Sequence, residues 1–132
     1  MANVITTIDL AAEAGAVWDA VRDVGAAHRR LVPGVLTEVS LEAGERTVRF
    51  ANGLVVRERI VTIDDARRRF AYAAHGGRTQ FHHASMQVEP TGSGRCRLTW
   101  TTDVLPDAAA PQVAALVELG AAAMRRTFGE PG

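Results

Sequence analysis

The 132-residue sequence contains no lysine: all fifteen of its basic residues are arginine. Schiff-base chemistry, which needs a lysine amine, is thereby excluded. The arginine-only usage itself reads as a bias toward GC-rich codons. A single cysteine, Cys96, rules out an intramolecular disulfide. Fifteen acidic residues balance the arginines to a net charge of zero. No positive field is left to neutralise a phosphate backbone, so nucleic acid is not an expected partner. No run approaches the ~18 apolar residues of a membrane span, and the longest helical stretch is broken by Glu118 and Gly120. Membrane insertion is not expected. The start MANVITTIDL has neither a basic n-region nor a long apolar stretch, which makes the cytoplasm the expected compartment.

What is present is ordinary globular material, with 47% hydrophobic and 23% charged residues, so fold is the right question to ask. The length suits one domain over residues 1–132, with one core and one site. The choice between monomer and homodimer stays open.

Alternation from Val4 to Leu10 predicts a strand with Val4, Thr6, Ile8 and Leu10 on one face. Residues 11–23 then read as a helix whose stripe is Val17, Trp18, Val21 and Val24. A second short helix over 26–31 is stopped by Pro33 and Gly34. Six strands are expected at 35–41, 46–51, 54–63, 68–74, 81–89 and 95–104, separated by turn residues. After Pro106 the stripe Val113, Leu116, Val117, Gly120, Met124, Phe128 predicts a long helix, with Pro111 tolerable in its first turn. The expected fold is α+β: a seven-stranded curved antiparallel sheet, two short helices and a long C-terminal helix over the concave face. Small residues along that helix leave room for a ligand between helix and sheet.

Asn52-Gly53 is a strong two-residue hairpin signal. It pairs Ala51 with Leu54, which places Arg49 opposite Val56 and beside Glu58 on the inner face. Val48, Phe50, Val55, Arg57, Arg59 and Val61 then fall outside. A loop over residues 75–79 pairs Tyr72 with His82, and a turn near Gly92 pairs Ala84 with Trp100 and Met86 with Leu98. Even-numbered positions from 54 to 102 therefore face the terminal helix.

The segments VWDAVRDVG, ERTVRFANGLVVRERIVTIDD, RRFAYAA and CRLTW resemble the SRPBCC superfamily of START-like helix-grip proteins, in particular its polyketide cyclase/dehydrase branch. The resemblance covers nearly the whole chain and touches Trp18, Asp23, Arg49, Gly53, Glu58, Asp64, Tyr72 and Trp100. It implies an internal pocket, since relatives include aromatase/cyclases, lipid and steroid carriers, quinone chaperones and hormone receptors. It gives no equivalent for His82, where an aromatic residue is commoner.

His82 and His83 alternate across a strand and cannot share one metal ion, so no metal or cofactor is expected. His28 and His75 read as surface residues. Facing a pocket beside Tyr72, the His82 imidazole can move a proton while the phenol bonds a carbonyl oxygen. Glu58 needs a partner if buried, and Arg49 is the expected one. The expected catalytic set is His82, Tyr72, Glu58 and Arg49. The expected walls are Trp100, Met86, Ala84, Leu98, Val56, Ile60, Leu116, Gly120 and Met124. Three functions remain open: a cofactor-free cyclase or dehydratase (a lyase or isomerase) acting on a hydrophobic carbonyl compound, a non-catalytic carrier of a lipid, quinone or pigment, and a chaperone-like interaction module. The last needs an exposed apolar patch that the sequence does not display.

Overall fold

The β-branched alternation of the first residues builds β1, Ala2–Leu10, whose Ile8 and Leu10 are fully buried while Ile5 is exposed. In the computed structural model, which describes residues 1–76 and 79–132, six further strands follow. They are β2 (Leu36–Glu42), β3 (Glu45–Phe50), β4 (Val55–Asp64), β5 (Arg69–His75), β6 (Phe81–Gly92) and β7 (Arg95–Leu105). All pairs are antiparallel, in the spatial order β1-β7-β6-β5-β4-β3-β2. β1 and β2 are thus opposite edges, and the two short helices between them carry the chain across the sheet.

The first of these, α1 (Ala14–Arg22), buries Val17, Trp18 and Val21 as their spacing predicts. It begins three residues later than expected. Trp18 Nε1 donates to Asp65 at 2.9 Å, which ties α1 to the β4–β5 turn. The second helix is cut to α2 (Ala27–Arg30), because Val24–Ala26 form a tighter 3₁₀ turn. The long helix α3 (Ala110–Phe128) buries Val113, Val117, Gly120, Ala121 and Met124 against the sheet. Pro111 sits in its first turn, where no internal amide bond is lost. Architecture and element order are those of the expected helix grip. Among the described residues no helix is long and apolar enough to cross a membrane.

The register departs from expectation at the β3–β4 hairpin. Phe50 N bonds Leu54 O at 2.8 Å and Gly53 N bonds Phe50 O at 2.9 Å, so the loop holds three residues, with Gly53 at φ 90°. This is the longer hairpin connection that ends in a left-handed glycine. The two-residue turn with positive φ at both positions occurs in the preceding hairpin, at Ala43 (51°) and Gly44 (77°). One extra loop residue slips β3 by one against β4 and reverses its faces. Val48 pairs with Val56 and Arg46 with Glu58. Val48 is therefore core and Arg49 points outward to Glu38.

The other two hairpins slip by two relative to expectation, which preserves faces. Tyr72 pairs with Ala84, not His82, and Trp100 with Met86, not Ala84. The loop expected to set the first pairing includes Gly77 and Arg78, which lie outside the described residues.

Candidate functional site

Between the concave face and α3 lies a pocket of about 250 Å³. Leu31 and Val32 at the end of α2 form one side, Val113, Leu116 and Val117 of α3 the roof, and Val48, Val56 and Met86 part of the sheet wall. The lining reaches the β3–β4 turn at Asn52, the β5–β6 loop at Gly76 and Thr79, and the start of α3 at Gln112. Asn52, Gly76 and Gln112, all exposed, mark the mouth.

Polar groups gather on the sheet wall. Arg46 Nε donates to Glu58 Oε1 at 2.7 Å, with the two side chains only 6% and 9% exposed. Burying two charges is costly unless each is paired and hydrogen-bonded. Arg46 meets this condition by donating also to Val24 O at 3.0 Å, which anchors the turn before α2. Its guanidinium lies over the rings of Phe70 and Tyr72, 5.1 and 5.4 Å from their centroids. Those rings stack on each other at 5.2 Å. Strand alternation puts Phe70 and Tyr72 on one face, and the cation holds them there.

Tyr72 is 4% exposed. Burial first, then the neighbouring Glu58 carboxylate, pushes its phenol far above the ordinary range, with Arg46 and Trp100 giving partial relief. It stays protonated, and so able to donate a hydrogen bond, at physiological pH. His82, partly buried in the pocket wall, is shifted the other way: desolvation lowers its pKa and outweighs the upward pull of Glu58. The imidazole is therefore neutral at pH 7 and able to accept a proton. Because Tyr72 pairs with Ala84, two residues from His82, donor and acceptor are diagonal neighbours on one face.

Trp100 completes the wall, its Nε1 buried without a hydrogen-bond partner. α3 comes so close that a Cβ on Gly120 would lie 2.8 Å from the indole Cζ3 and 3.0 Å from Cη2.

Of the residues singled out by sequence, His82, Tyr72, Glu58, Trp100, Met86, Val56, Leu116 and Gly120 line the pocket. Arg49 does not: the shifted hairpin turns it to the outer surface, where it bonds Glu38 at 3.3 Å. Ala84, Leu98 and Met124 face the right way but are fully buried in the core, and Ile60 packs at its border. Arg46, Leu31 and Val32 are lining residues that sequence reasoning missed, and Thr102 lines the wall on the face its even position predicts. Keeping the apolar Val48 and Phe50 inside would have turned Arg46 inward with them. His28 is not a plain surface residue, since its Nδ1 is buried, whereas His75 lies at the surface with its Nε2 2.9 Å from Glu45. His83 pairs with Asp103 on the outer face, and among the described residues no three His, Cys, Asp or Glu side chains gather as metal ligands.

None of the curated proteins matches the chain by sequence. Solved structures share its fold. An uncharacterised protein from Bacillus thuringiensis superposes with a TM-score of 0.86 at 18% identity, covering 96% of this chain and 98% of its own. The aromatase/cyclase ZhuI from Streptomyces sp. R1128 gives 0.74 at 22% identity, over 96% and 90%. Norcoclaurine synthase from Thalictrum flavum gives 0.67 at 16% identity, over 91% of each chain. Residues 1–130 match one family over almost the whole sequence, and the chain belongs to that family, polyketide cyclase / dehydrase and lipid transport.

Proposed function

We propose that the chain binds a small, mostly apolar carbonyl compound in this pocket and catalyses a cofactor-free cyclisation or dehydration on it. The observation that carries the reading is the placement of two diagonal neighbours on one pocket wall, a phenol whose burial favours its protonated form and an imidazole whose burial favours its neutral form. In such a reaction His82 takes an α-proton from the ligand, and the resulting enolate carbon attacks a second carbonyl. As that C–C bond forms, the new alkoxide takes the Tyr72 proton. The His82 imidazolium returns a proton to the phenolate, so both groups end as they began. A following dehydration reuses the pair, with base removal of one further proton and loss of the hydroxyl as water. Glu58, neutralised by Arg46, keeps the local field constant and steadies the imidazolium.

The family's own description, polyketide cyclase / dehydrase, supports this chemistry, and a structural neighbour sharing the fold bears the name aromatase/cyclase. The predominantly apolar walls favour a second reading, carriage of a hydrophobic molecule without reaction. Native mass spectrometry of the purified protein identifies what it carries. A synthetic poly-β-ketone thioester then tests turnover. Catalysis predicts that His82→Phe abolishes product formation while binding survives; a carrier forms no product even in the unsubstituted chain.

A further inference from the structure

One polar atom of the pocket wall has no task in that scheme. Trp100 Nε1 carries a hydrogen that neither solvent nor any described acceptor satisfies. A buried donor left unpaired is costly, so its retention needs a reason. The indole is also fixed in place: the missing Cβ of Gly120 lets α3 press on the benzo edge at Cζ3 and Cη2. Indole and phenol line the same pocket, and the indole lies close enough to the Tyr72 phenol to favour its ionised form. Tyr72 has no hydrogen-bond acceptor for its own proton among the described residues. The result is a file of Gly120, Trp100 and Tyr72 leading from helix to pocket.

We propose that Trp100 is a positioning residue for Tyr72: its Nε1–H closes on the phenol oxygen as a ligand oxygen accepts the phenol O–H, and it steadies the phenolate once that proton has passed. Occupying the phenol's lone pair leaves only one useful direction for its hydrogen, into the pocket. Hydrogen bonds in such a chain polarise one another, so each strengthens as the next forms. The inference rests on the proposed function for its ligand, but not for the indole–phenol contact itself. The charged groups acting on the phenol are Glu58 from β4 and Arg46 from β3, and the titratable His82 of β6 lines the same pocket. The α3 positions that line the pocket, Val113, Leu116, Val117 and Gly120 with Gln112, carry no titratable side chain.

Tyr72 is the only tyrosine of the chain, so biosynthetic 2,3,5-trifluorotyrosine labels this site alone and, with three ring fluorines acidifying the phenol, brings its ionisation into an accessible range. Fluorine NMR titration of the intact protein is then read in three variants. Trp100→Phe is expected to weaken the acidity of the label about tenfold. Gly120→Ala keeps the indole but displaces it, and is expected to act in the same direction; alanine suits a helix interior, so this variant guards against simple misfolding. Trp18→Phe, which removes a tryptophan from a different contact, is expected to leave the titration unchanged. Infrared spectra of isotope-labelled 2-acetylnaphthalene supply the ligand arm: the bound carbonyl stretch should rise in Trp100→Phe with Tyr72 still present. An unchanged fluorotyrosine titration in both Trp100→Phe and Gly120→Ala overturns the proposal. If the ketone fails to bind while the titration shifts as expected, the indole–phenol relay stands and the pocket reading falls.

Discussion

Arg46 and Glu58 face each other across the β3–β4 ladder as a 2.7 Å ion pair, enclosed at the edge of the pocket. Removing one member leaves the other charge buried. Glu58→Gln is expected to lower stability by about 3 kcal/mol, read from chemical denaturation. The double variant Arg46→Met with Glu58→Leu restores an apolar match and should recover most of that loss. Recovery of stability together with loss of turnover would show that the pair is retained for its chemistry.

The His82 imidazole makes stability depend on pH in a defined window. Its pKa in the folded chain lies below the ordinary 6.5, chiefly through burial. Between those two values the unfolded chain binds more protons than the folded one. The contribution of His82 is thus fully present above pH 6.5 and is lost as pH falls toward and through the folded value. His82→Phe should flatten the stability profile over that interval. Denaturation midpoints measured from pH 7.5 down to 5 check this, and an unaltered slope would contradict the burial of the ring.

The hairpin register has its own test. Val48 is 1% exposed, and Val48→Ala should cost about 2 kcal/mol through lost burial and a residual cavity. Arg49→Ala should change stability by less than ~0.5 kcal/mol, as a surface substitution, and leave ligand binding untouched. Reversed sensitivities would restore the two-residue turn.

Pocket volume should govern binding. Val56 lines the wall and is only partly buried. Val56→Trp fills space that a ligand needs, and is expected to weaken binding of 2-acetylnaphthalene more than tenfold while the melting temperature stays close to that of the parent. Calorimetric titration reads the first and a thermal scan the second.

Much of this architecture is legible in the sequence. Period-two alternation in β1 and β4 placed Ile8, Leu10, Val56 and Glu58 correctly, because a strand has only two faces. The stripe of α3 gave its length and buried side, since few arrangements hide such a face. Tyr72, His82 and Trp100 were brought to one wall even though their predicted partners were two residues off, for a slip of two returns each side chain to the same face. Arg49 was misplaced because its slip was of one.

The sequence alone thus determined element type, order and most inward faces, all of which follow from local periodicity and steric limits within a few residues. Tertiary structure decided which arginine neutralises Glu58, how far each strand slides and which apolar side chains leave space. Those outcomes depend on loop length and on contacts between distant segments, such as Arg46 with Val24 and Gly120 with Trp100. No local pattern encodes them, because register energies are differences between whole ladders rather than properties of any one residue.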